Sequence, residues 1–223
     1  MPLPEQPSLV VRPPAERVRT LTDARRVFVR HSSPRLLVVA SLAALVALVA
    51  AGGWRPAQLA VGLVVLAAHP LVEWVVHVYV LHARPVRIGG HTLDLDQARK
   101  HRAHHADPRN LEILFIPMRS LVAGSAAIAA LCLLLPDTST RLALVAVAAV
   151  TTLAYEWVHF LIHTDYKPRR AAYHRLYTGH RLHHYRNENY WFGVSRRRGD
   201  RMLGTNPGKD DVPLSSTCLT LQR

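Results

Sequence analysis

Four long apolar runs limit what this chain can fold into more than any other feature of its sequence. The first, LLVVASLAALVALVAAGG, has 18 residues and no charged side chain, which is enough to cross the hydrocarbon core of a bilayer as a helix. Some 35 charged and proline-rich residues precede it, a pattern unlike that of a secretory signal peptide. The sequence therefore predicts an all-α integral membrane protein with four spans, at about 36–53, 59–82, 119–135 and 141–163.

Short connectors join these runs in pairs. WRPAQ (54–58) links the first two runs and PDTST (136–140) links the last two, and their proline and small polar residues are typical of tight turns. The chain is thus expected to form two helical hairpins within one membrane domain at 36–207. A basic, proline-rich tail at 1–35 and a C-terminal tail at 208–223 are expected to flank this domain.

The basic residues predict the orientation of the spans. Of the 28 Lys and Arg residues, 7 lie in 1–35, 6 in 83–112 and 12 in 164–223, whereas only Arg55 and Arg141 lie at the two connectors. Because the cytoplasmic loops of membrane proteins carry an excess of Lys and Arg, these three segments, and with them both termini, are predicted to be cytoplasmic. The net charge of +13 is interpreted as attraction to anionic lipid headgroups, not as nucleic-acid binding.

Ten of the fourteen histidines lie in four short boxes. The boxes read HVYVLH (77–82), HRAHH (101–105), HFLIH (159–163) and HRLHH (180–184). In the predicted topology the second and fourth spans both run toward the cytoplasm, so all four boxes lie at the cytoplasmic face. The candidate metal ligands are His77, His82, His101, His104, His105, His159, His163, His180, His183 and His184.

The spacing of the boxes suits metal binding. On a helix, positions i, i+3 and i+4 share a face, so each HxxHH box is expected to direct its imidazoles into a common space. His77 and His82, five residues apart, require a locally unwound turn. Ten imidazoles exceed the coordination of one ion, so the sequence predicts two metal ions. Imidazole suits Fe, Zn, Cu or Ni.

Two glutamates lie one turn before the boxes in the spans, in EWVVHVYVLH (73–82) and EWVHFLIH (156–163). Glu73 and Glu156 are candidates to accept the outer N–H of a ligand imidazole, and equally candidates to serve a local polar network. His174, which lies outside the boxes, is interpreted as an outer support of the site or a structural residue.

The pattern Hx4H…HxxHH…HxxxH…HxxHH resembles that of the fatty acid hydroxylase/sterol desaturase superfamily of membrane di-iron oxygenases. The stretch HTDYKPRRAAYHRLYTGHRLHHYRNENYWFGVSRRRGDRMLGTNP (163–207) is especially similar to bacterial fatty acid hydroxylase-like members. The resemblance covers about 69–207. It implies a four-helix membrane bundle with a histidine-rich helical cap on the cytoplasmic side. It also implies that the ten box histidines bind two iron ions, which zinc can replace in isolated protein.

The resemblance further implies O2-dependent hydroxylation of a lipid chain, with a fatty acyl chain as the expected substrate. Hydroxylation or desaturation of a carotenoid or sterol is the alternative within this chemistry. Because 1–35 is too short for the cytochrome domain of some family members, a separate reductase or electron carrier is the expected partner. A non-catalytic metal-binding or transport protein is the alternative of another class, but a transporter would place its ligands near the bilayer midplane.

An aromatic stretch follows the last box. Tyr190, Trp191 and Phe192, beside the basic run RRR (196–198), are interpreted either as an anchor at the membrane interface or as part of the substrate entrance. The anchor is the favoured interpretation, because aromatic residues are enriched at membrane–water interfaces.

Overall fold

The computed structural model describes residues 18–221, so the first 17 residues of the predicted N-terminal tail and the last two residues of the chain lie outside it. Its helices are α1 (Leu21–Phe28), α2 (Ser32–Ala50), α3 (Pro56–Val75, continued by a π-helical turn at Val76–Leu81), α4 (Asp96–Ala106), α5 (Met118–Cys132), α6 (Thr138–Ile162), α7 (Ala171–Tyr185), α8 (Arg198–Met202) and α9 (Ser216–Leu221). Single 3-10 turns lie at Leu111–Ile113 and Lys209–Asp211.

Four helical stretches are long and apolar enough to cross a membrane: Ser32–Ala50, Pro56–Leu81, Leu111–Cys132 and Thr138–Ile162. The predicted helical membrane fold is confirmed, and each stretch contains most of one predicted apolar run. One small element was not predicted: strands β1 (Val86–Ile88) and β2 (His91–Leu93) form an antiparallel hairpin. Its two-residue turn is Gly89-Gly90, and both glycines adopt positive φ, as such tight hairpins require.

Helix α6 lies at the centre of the bundle and packs against α2 and α3. Small side chains allow this close packing, since Ala143 and Ala146 of α6 are fully buried and Ala44 of α2 is nearly so. Helix α5 lies at the edge, with no buried side chain. The outer faces of α3 and α5 expose large apolar side chains, among them Leu63 and Val122. A lipid environment accommodates such a surface.

Hydrogen bonds join the two connectors at one end of the bundle. Gln58 Nε2 donates to Thr140 Oγ1 over 3.2 Å, and Ser139 Oγ donates to the carbonyl oxygen of Ala51 over 3.1 Å. The starts of α3 and α6 therefore lie together, and both helices run to the opposite end, where their histidines are. Helices α4 and α7, which carry the other two boxes, cover that end.

Both predicted tails contain packed structure in their described parts. Val18 and Phe28 are buried in an apolar cluster with Phe160 of α6. At the other end of the chain, Cys218 is buried, and Asn187 Nδ2 donates to the carbonyl oxygen of Pro213 over 3.1 Å. The described parts of the two predicted tails, 18–35 and 208–221, therefore pack against the membrane domain. The apolar face of α1 is short, and basic residues interrupt it. This face is therefore difficult to recognise from the sequence.

Candidate metal centre

The ten box histidines form two groups of five. Within each group, the five candidate ligand atoms lie within 4.8 Å of one another. The first group is His77, His82, His101, His105 and His183, and the second group is His104, His159, His163, His180 and His184. The structure thus brings together every histidine that the sequence predicted as a ligand.

Each HxxHH box contributes to both groups, contrary to the expectation that it serves one common space. On α4, His101 and His105 belong to the first group and His104 to the second. On α7 the assignment is reversed, because His180 and His184 belong to the second group and His183 to the first. Residues at i and i+4 project in nearly the same direction, whereas the residue at i+3 is rotated toward the neighbouring group. The two HxxHH boxes therefore contribute to the two groups in a reciprocal way.

The π-helical turn at the end of α3 accommodates the unusual spacing of the first box. The backbone N–H of His82 donates to the carbonyl oxygen of His77 over 3.1 Å, an i to i+5 bond. This wider turn places residues five apart on the same face, and such turns occur frequently at functional sites. It brings both imidazoles into the first group.

The nitrogen atoms of the first group are too close together, and too numerous, for a hydrogen-bond network to explain. His101 Nε2 lies 3.1 Å from His77 Nε2, 3.2 Å from His82 Nε2 and 3.1 Å from His105 Nε2. One ring nitrogen carries at most one proton, so it cannot form three such bonds with other ring nitrogens. Two nitrogens that bind one metal at about 2.1 Å and at right angles lie about 3 Å apart. The donor set therefore fits a shared cation.

The second group has the same geometry. His163 Nε2 lies 3.2 Å from His104 Nε2 and 3.1 Å from His180 Nε2, and His180 Nε2 lies 3.1 Å from His184 Nε2. His159 Nε2 is buried and has no hydrogen-bond partner within residues 18–221. A cation among these five nitrogens would satisfy their lone pairs.

Burial keeps these imidazoles neutral. Eight of the ten are buried, and His82 and His105 are half-buried. Desolvation lowers the pKa of His82 and of His104 to about 4. It lowers the pKa well below the ordinary value for the remaining candidates outside the membrane spans, His101, His105, His163, His180, His183 and His184. A metal binds the neutral form, so the lone pairs are available at neutral pH.

Backbone carbonyls orient two imidazoles of the first group. His77 Nδ1 donates to the carbonyl oxygen of Phe192 over 2.6 Å, and His183 Nδ1 donates to that of Tyr190 over 2.8 Å. A proton on Nδ1 leaves the Nε2 lone pair free to point into the group.

Glu73 has no hydrogen bond to a box histidine among the described residues, although such a bond was one of its two interpretations from the sequence. Its carboxylate accepts from the backbone N–H of Val194, from the backbone N–H of Ser195 over 2.8 Å and from Ser195 Oγ over 2.5 Å. The local polar network is therefore the better interpretation of Glu73. That network includes the chain segment that carries the carbonyl of Phe192.

Glu156 also has other partners. It accepts from Ser33 Oγ over 2.5 Å and from the backbone N–H of Ile116 over 2.8 Å, and within the described residues it has no hydrogen bond to a histidine. It thereby ties α6 to the start of α2 and to the segment before α5. His159 follows one turn later on the same face of α6.

The remaining predicted residues occupy different environments. His174 is exposed on α7. Trp191 and Phe192 are 1% and 6% exposed, so these two side chains offer almost no surface to a membrane interface, and Tyr190 is half-buried. The centroid of the Phe192 ring lies 5.4 Å from that of His77 and 5.3 Å from that of His183, so Phe192 packs directly against the first group.

Sequence reasoning missed Asp200. This fully buried carboxylate accepts from the backbone N–H groups of Phe192 and Gly193 over 2.9 and 2.7 Å, and from Thr205 Oγ1 over 2.7 Å. Asp200 stands next to a run of arginines, where a single carboxylate is expected to be a solvated surface charge. No signal in its spacing distinguished it.

A cavity of about 230 Å³ lies between the start of α2, the segment before α5 and Lys100 of α4. In its wall, Lys100 lies one turn before His104 on α4. Ser33 and Ile116, also in the wall, both donate hydrogen bonds to Glu156. Glu156 lies one turn before His159 on α6. Its wall also includes Ile113, Phe115 and Glu112, so apolar and charged groups line the same space.

Comparisons with known proteins agree with this arrangement. The sequence model of the family described as "Fatty acid hydroxylase" matches residues 62–205, which include all four boxes. The fold is similar to that of a solved structure of full-length Scs7p in which only the hydroxylase domain is visible, with a TM-score of 0.63 and 20% sequence identity. The match covers 89% of this chain and 70% of that one. No curated protein matches the chain in sequence.

Proposed function

Since the chain belongs to the fatty acid hydroxylase family, we propose that it is a membrane-bound di-iron oxygenase that hydroxylates a fatty acyl chain. The reaction consumes the lipid, O2, two electrons and two protons, and it yields the hydroxylated lipid and water. The observation that carries the proposal is the pair of five-histidine groups at one end of an apolar helical bundle. Carotenoid or sterol oxidation remains the alternative substrate class.

Iron supplies, when bound, the O2 activation that no acid or base side chain can provide. Zinc has no redox chemistry, so a zinc-loaded sample of the protein should be inactive. The ten histidines would hold the two ions, and their neutral rings leave the positive charge of the metals uncompensated. The chain's own contribution is to fix these rings and to keep water out by covering them with α4 and α7.

The cavity of about 230 Å³ at the start of α2 suits one end of an amphiphile. Its apolar wall, with Ile113, Phe115 and Ile116, would contact a hydrocarbon chain, and Lys100 and Glu112 would contact a polar head. Binding pockets commonly combine an apolar lining with a few polar groups that orient the ligand. Because the cavity adjoins the start of α2 and the segment that leads into α5, a lipid could reach it from the side of the bundle.

We also propose that the histidine-bearing end of the single membrane domain at 36–207 faces the cytoplasm, with both termini on that side. The distribution of basic residues supports this orientation. A cleft of about 710 Å³ at this end is lined by four basic side chains, those of Arg19, Arg109, Lys167 and Arg169, together with Asp165 and Tyr166. Such a charge distribution suits anionic lipid headgroups, and it suits an acidic electron-transfer protein as the separate electron donor.

Metal transport is the competing function of another class. The two histidine groups lie at the same end of the bundle, beneath α4 and α7, instead of along a path near the middle of the membrane. This placement favours a catalytic centre.

Lipid analysis of an expression host tests the proposal. We expect cells that produce the protein to contain lipids that gain one oxygen atom, and cells that produce the His183→Ala variant to lack them. Lipids that lose two hydrogens would show desaturation and would contradict hydroxylation. Unchanged lipids together with altered cellular metal content would overturn the proposal in favour of transport.

A further inference from the structure

We propose that Asp200 and Glu73 are positioning residues of the first histidine group, which act through the loop at 190–195. The two carboxylates hold this loop so that its carbonyl groups orient His77 and His183. The consequence is that Asp200 controls the metal affinity of the first group and leaves the second group unaffected. This inference rests on the proposed metal centre.

The 190–195 loop is in direct contact with the first group. The carbonyls of Tyr190 and Phe192 accept the outer N–H groups of His183 and His77, and the Phe192 ring packs against both imidazoles. A displacement of this loop would rotate two of the five rings. A change in the direction of their lone pairs weakens metal binding, because outer partners fix ring orientation and ligand basicity.

Two buried carboxylates from different elements bind four consecutive backbone N–H groups of the loop. Asp200 of α8 accepts from Phe192 and Gly193, and Glu73 of α3 accepts from Val194 and Ser195. Each carboxyl group thus accepts hydrogen bonds from two neighbouring backbone N–H groups of the loop. The loop is therefore fixed from both sides.

The loop has a backbone conformation that needs this support. Trp191 has φ of 56°, which is uncommon for a residue other than glycine. Its N–H donates to the carbonyl oxygen of Thr205 over 2.8 Å, and Thr205 Oγ1 in turn donates to Asp200 and accepts from Trp74 Nε1 over 2.9 Å. Such conformations persist where the surroundings over-determine them. Asp200 therefore acts both on the loop and on the segment that holds it.

The second group has a different outer environment. The Nδ1 atoms of His104, His180 and His184 are buried and have no hydrogen-bond partner in the part of the chain that the structure describes. In the described contacts, no carbonyl of the 190–195 loop accepts a hydrogen bond from these rings. A substitution at Asp200 is therefore expected to affect the histidines of the first group directly, but not those of the second group.

Zinc release measured in two single-site backgrounds tests this inference. His184→Ala weakens the second group, so one equivalent of Zn²⁺ occupies mainly the first group and reports on it. His183→Ala weakens the first group, so one equivalent of Zn²⁺ occupies mainly the second group. Asp200→Asn is added to each background, because the amide keeps the size of the side chain but replaces one acceptor oxygen with a donor.

We expect Asp200→Asn to accelerate Zn²⁺ release to a chelator about 10–100-fold in the His184→Ala background and to leave the rate unchanged in the His183→Ala background. Asp211→Asn, an exposed carboxylate that caps only Gly208, is the matched control and should change neither rate. Equal effects in both backgrounds, or none in either, would overturn the inference.

Two further measurements separate this inference from other failures. If Asp200→Asn does not fold, Ser195→Ala, which removes one donor to Glu73, replaces it and should accelerate release from the first group by a smaller factor. No acceleration by Ser195→Ala would then overturn the inference. If the wild-type protein bound no Zn²⁺, the proposed metal centre would be refuted. If the wild-type protein bound two ions and Asp200→Asn did not change the rate of Zn²⁺ release, only the positioning role would be refuted.

Discussion

Two histidines on the same helix provide a sharp test of the metal centre. His183 and His174 both lie on α7, but His183 is fully buried in the first group whereas His174 is exposed. His183 Nε2 lies 3.1 Å from His105 Nε2 and 3.3 Å from His82 Nε2, so alanine would remove one of five converging ligands. The same substitution at His174 removes no contact with either group. A comparison of the two variants therefore distinguishes the effect of losing a metal ligand from the effect of losing any histidine on α7.

The expected magnitude follows from the number of ligands. A structural zinc site binds its ion with a free energy of about 10–16 kcal/mol. Shared among five imidazoles, this is about 2–3 kcal/mol for each, or about 30–150-fold in affinity. His183→Ala should therefore reduce bound metal from two ions toward one and abolish lipid oxidation. His174→Ala should keep two ions and change the free energy of unfolding by less than about 0.5 kcal/mol, as exposed substitutions usually do.

The assay is metal per protein by elemental analysis, together with a Zn²⁺ titration, for both variants and the wild type in one detergent. Elution as a single species establishes that each variant is folded. If His183→Ala retained two ions with unchanged affinity, or if His174→Ala lost metal to the same extent, the assignment of the two groups would be refuted.

Three further predictions concern topology, backbone packing and the carboxylate near the second group. In intact cells, an impermeant thiol reagent should label a cysteine introduced at Trp54 but not one at Asp96; labelling at both positions, or at Asp96 only, would contradict the orientation. Gly193→Ala should lower the midpoint of thermal unfolding, because its Cβ would lie 2.3 Å from a backbone oxygen, whereas Gly124→Ala on α5 meets no atom within 4 Å and should leave the midpoint unchanged or raise it. Glu156→Gln should keep both metals but reduce the free energy of unfolding by about 1–3 kcal/mol, because the amide cannot fully replace a buried acceptor. Loss of metal in that variant would indicate a direct role of Glu156 at the second group.

The histidine centre was accessible from sequence because its signal is local. In a regular helix, the number of residues between two side chains determines whether they lie on the same face. The patterns HxxHH and HxxxH therefore predict converging imidazoles without any tertiary information. The apolar runs likewise determine spans, because a helix must satisfy its own backbone in lipid. The same local rule failed within the boxes, where His104 and His183 belong to the opposite group from their box neighbours.

The roles of the carboxylates depended on contacts between distant parts of the chain. Glu73 and Val194 are 121 residues apart, and Ser33 and Glu156 are 123 apart, so no spacing rule relates them. Asp200 had no distinguishing pattern at all.

The sequence by itself determined that this chain has four membrane-length helices and ten histidines at one end of them, because hydropathy and helical spacing are properties of neighbouring residues. Only the tertiary structure decided how those histidines divide into two groups, and which carboxylates hold the loop beside the first group. That division depends on how α4 and α7 are rotated over the ends of α3 and α6. The rotation results from packing and hydrogen bonding across the whole fold, so no short segment encodes it.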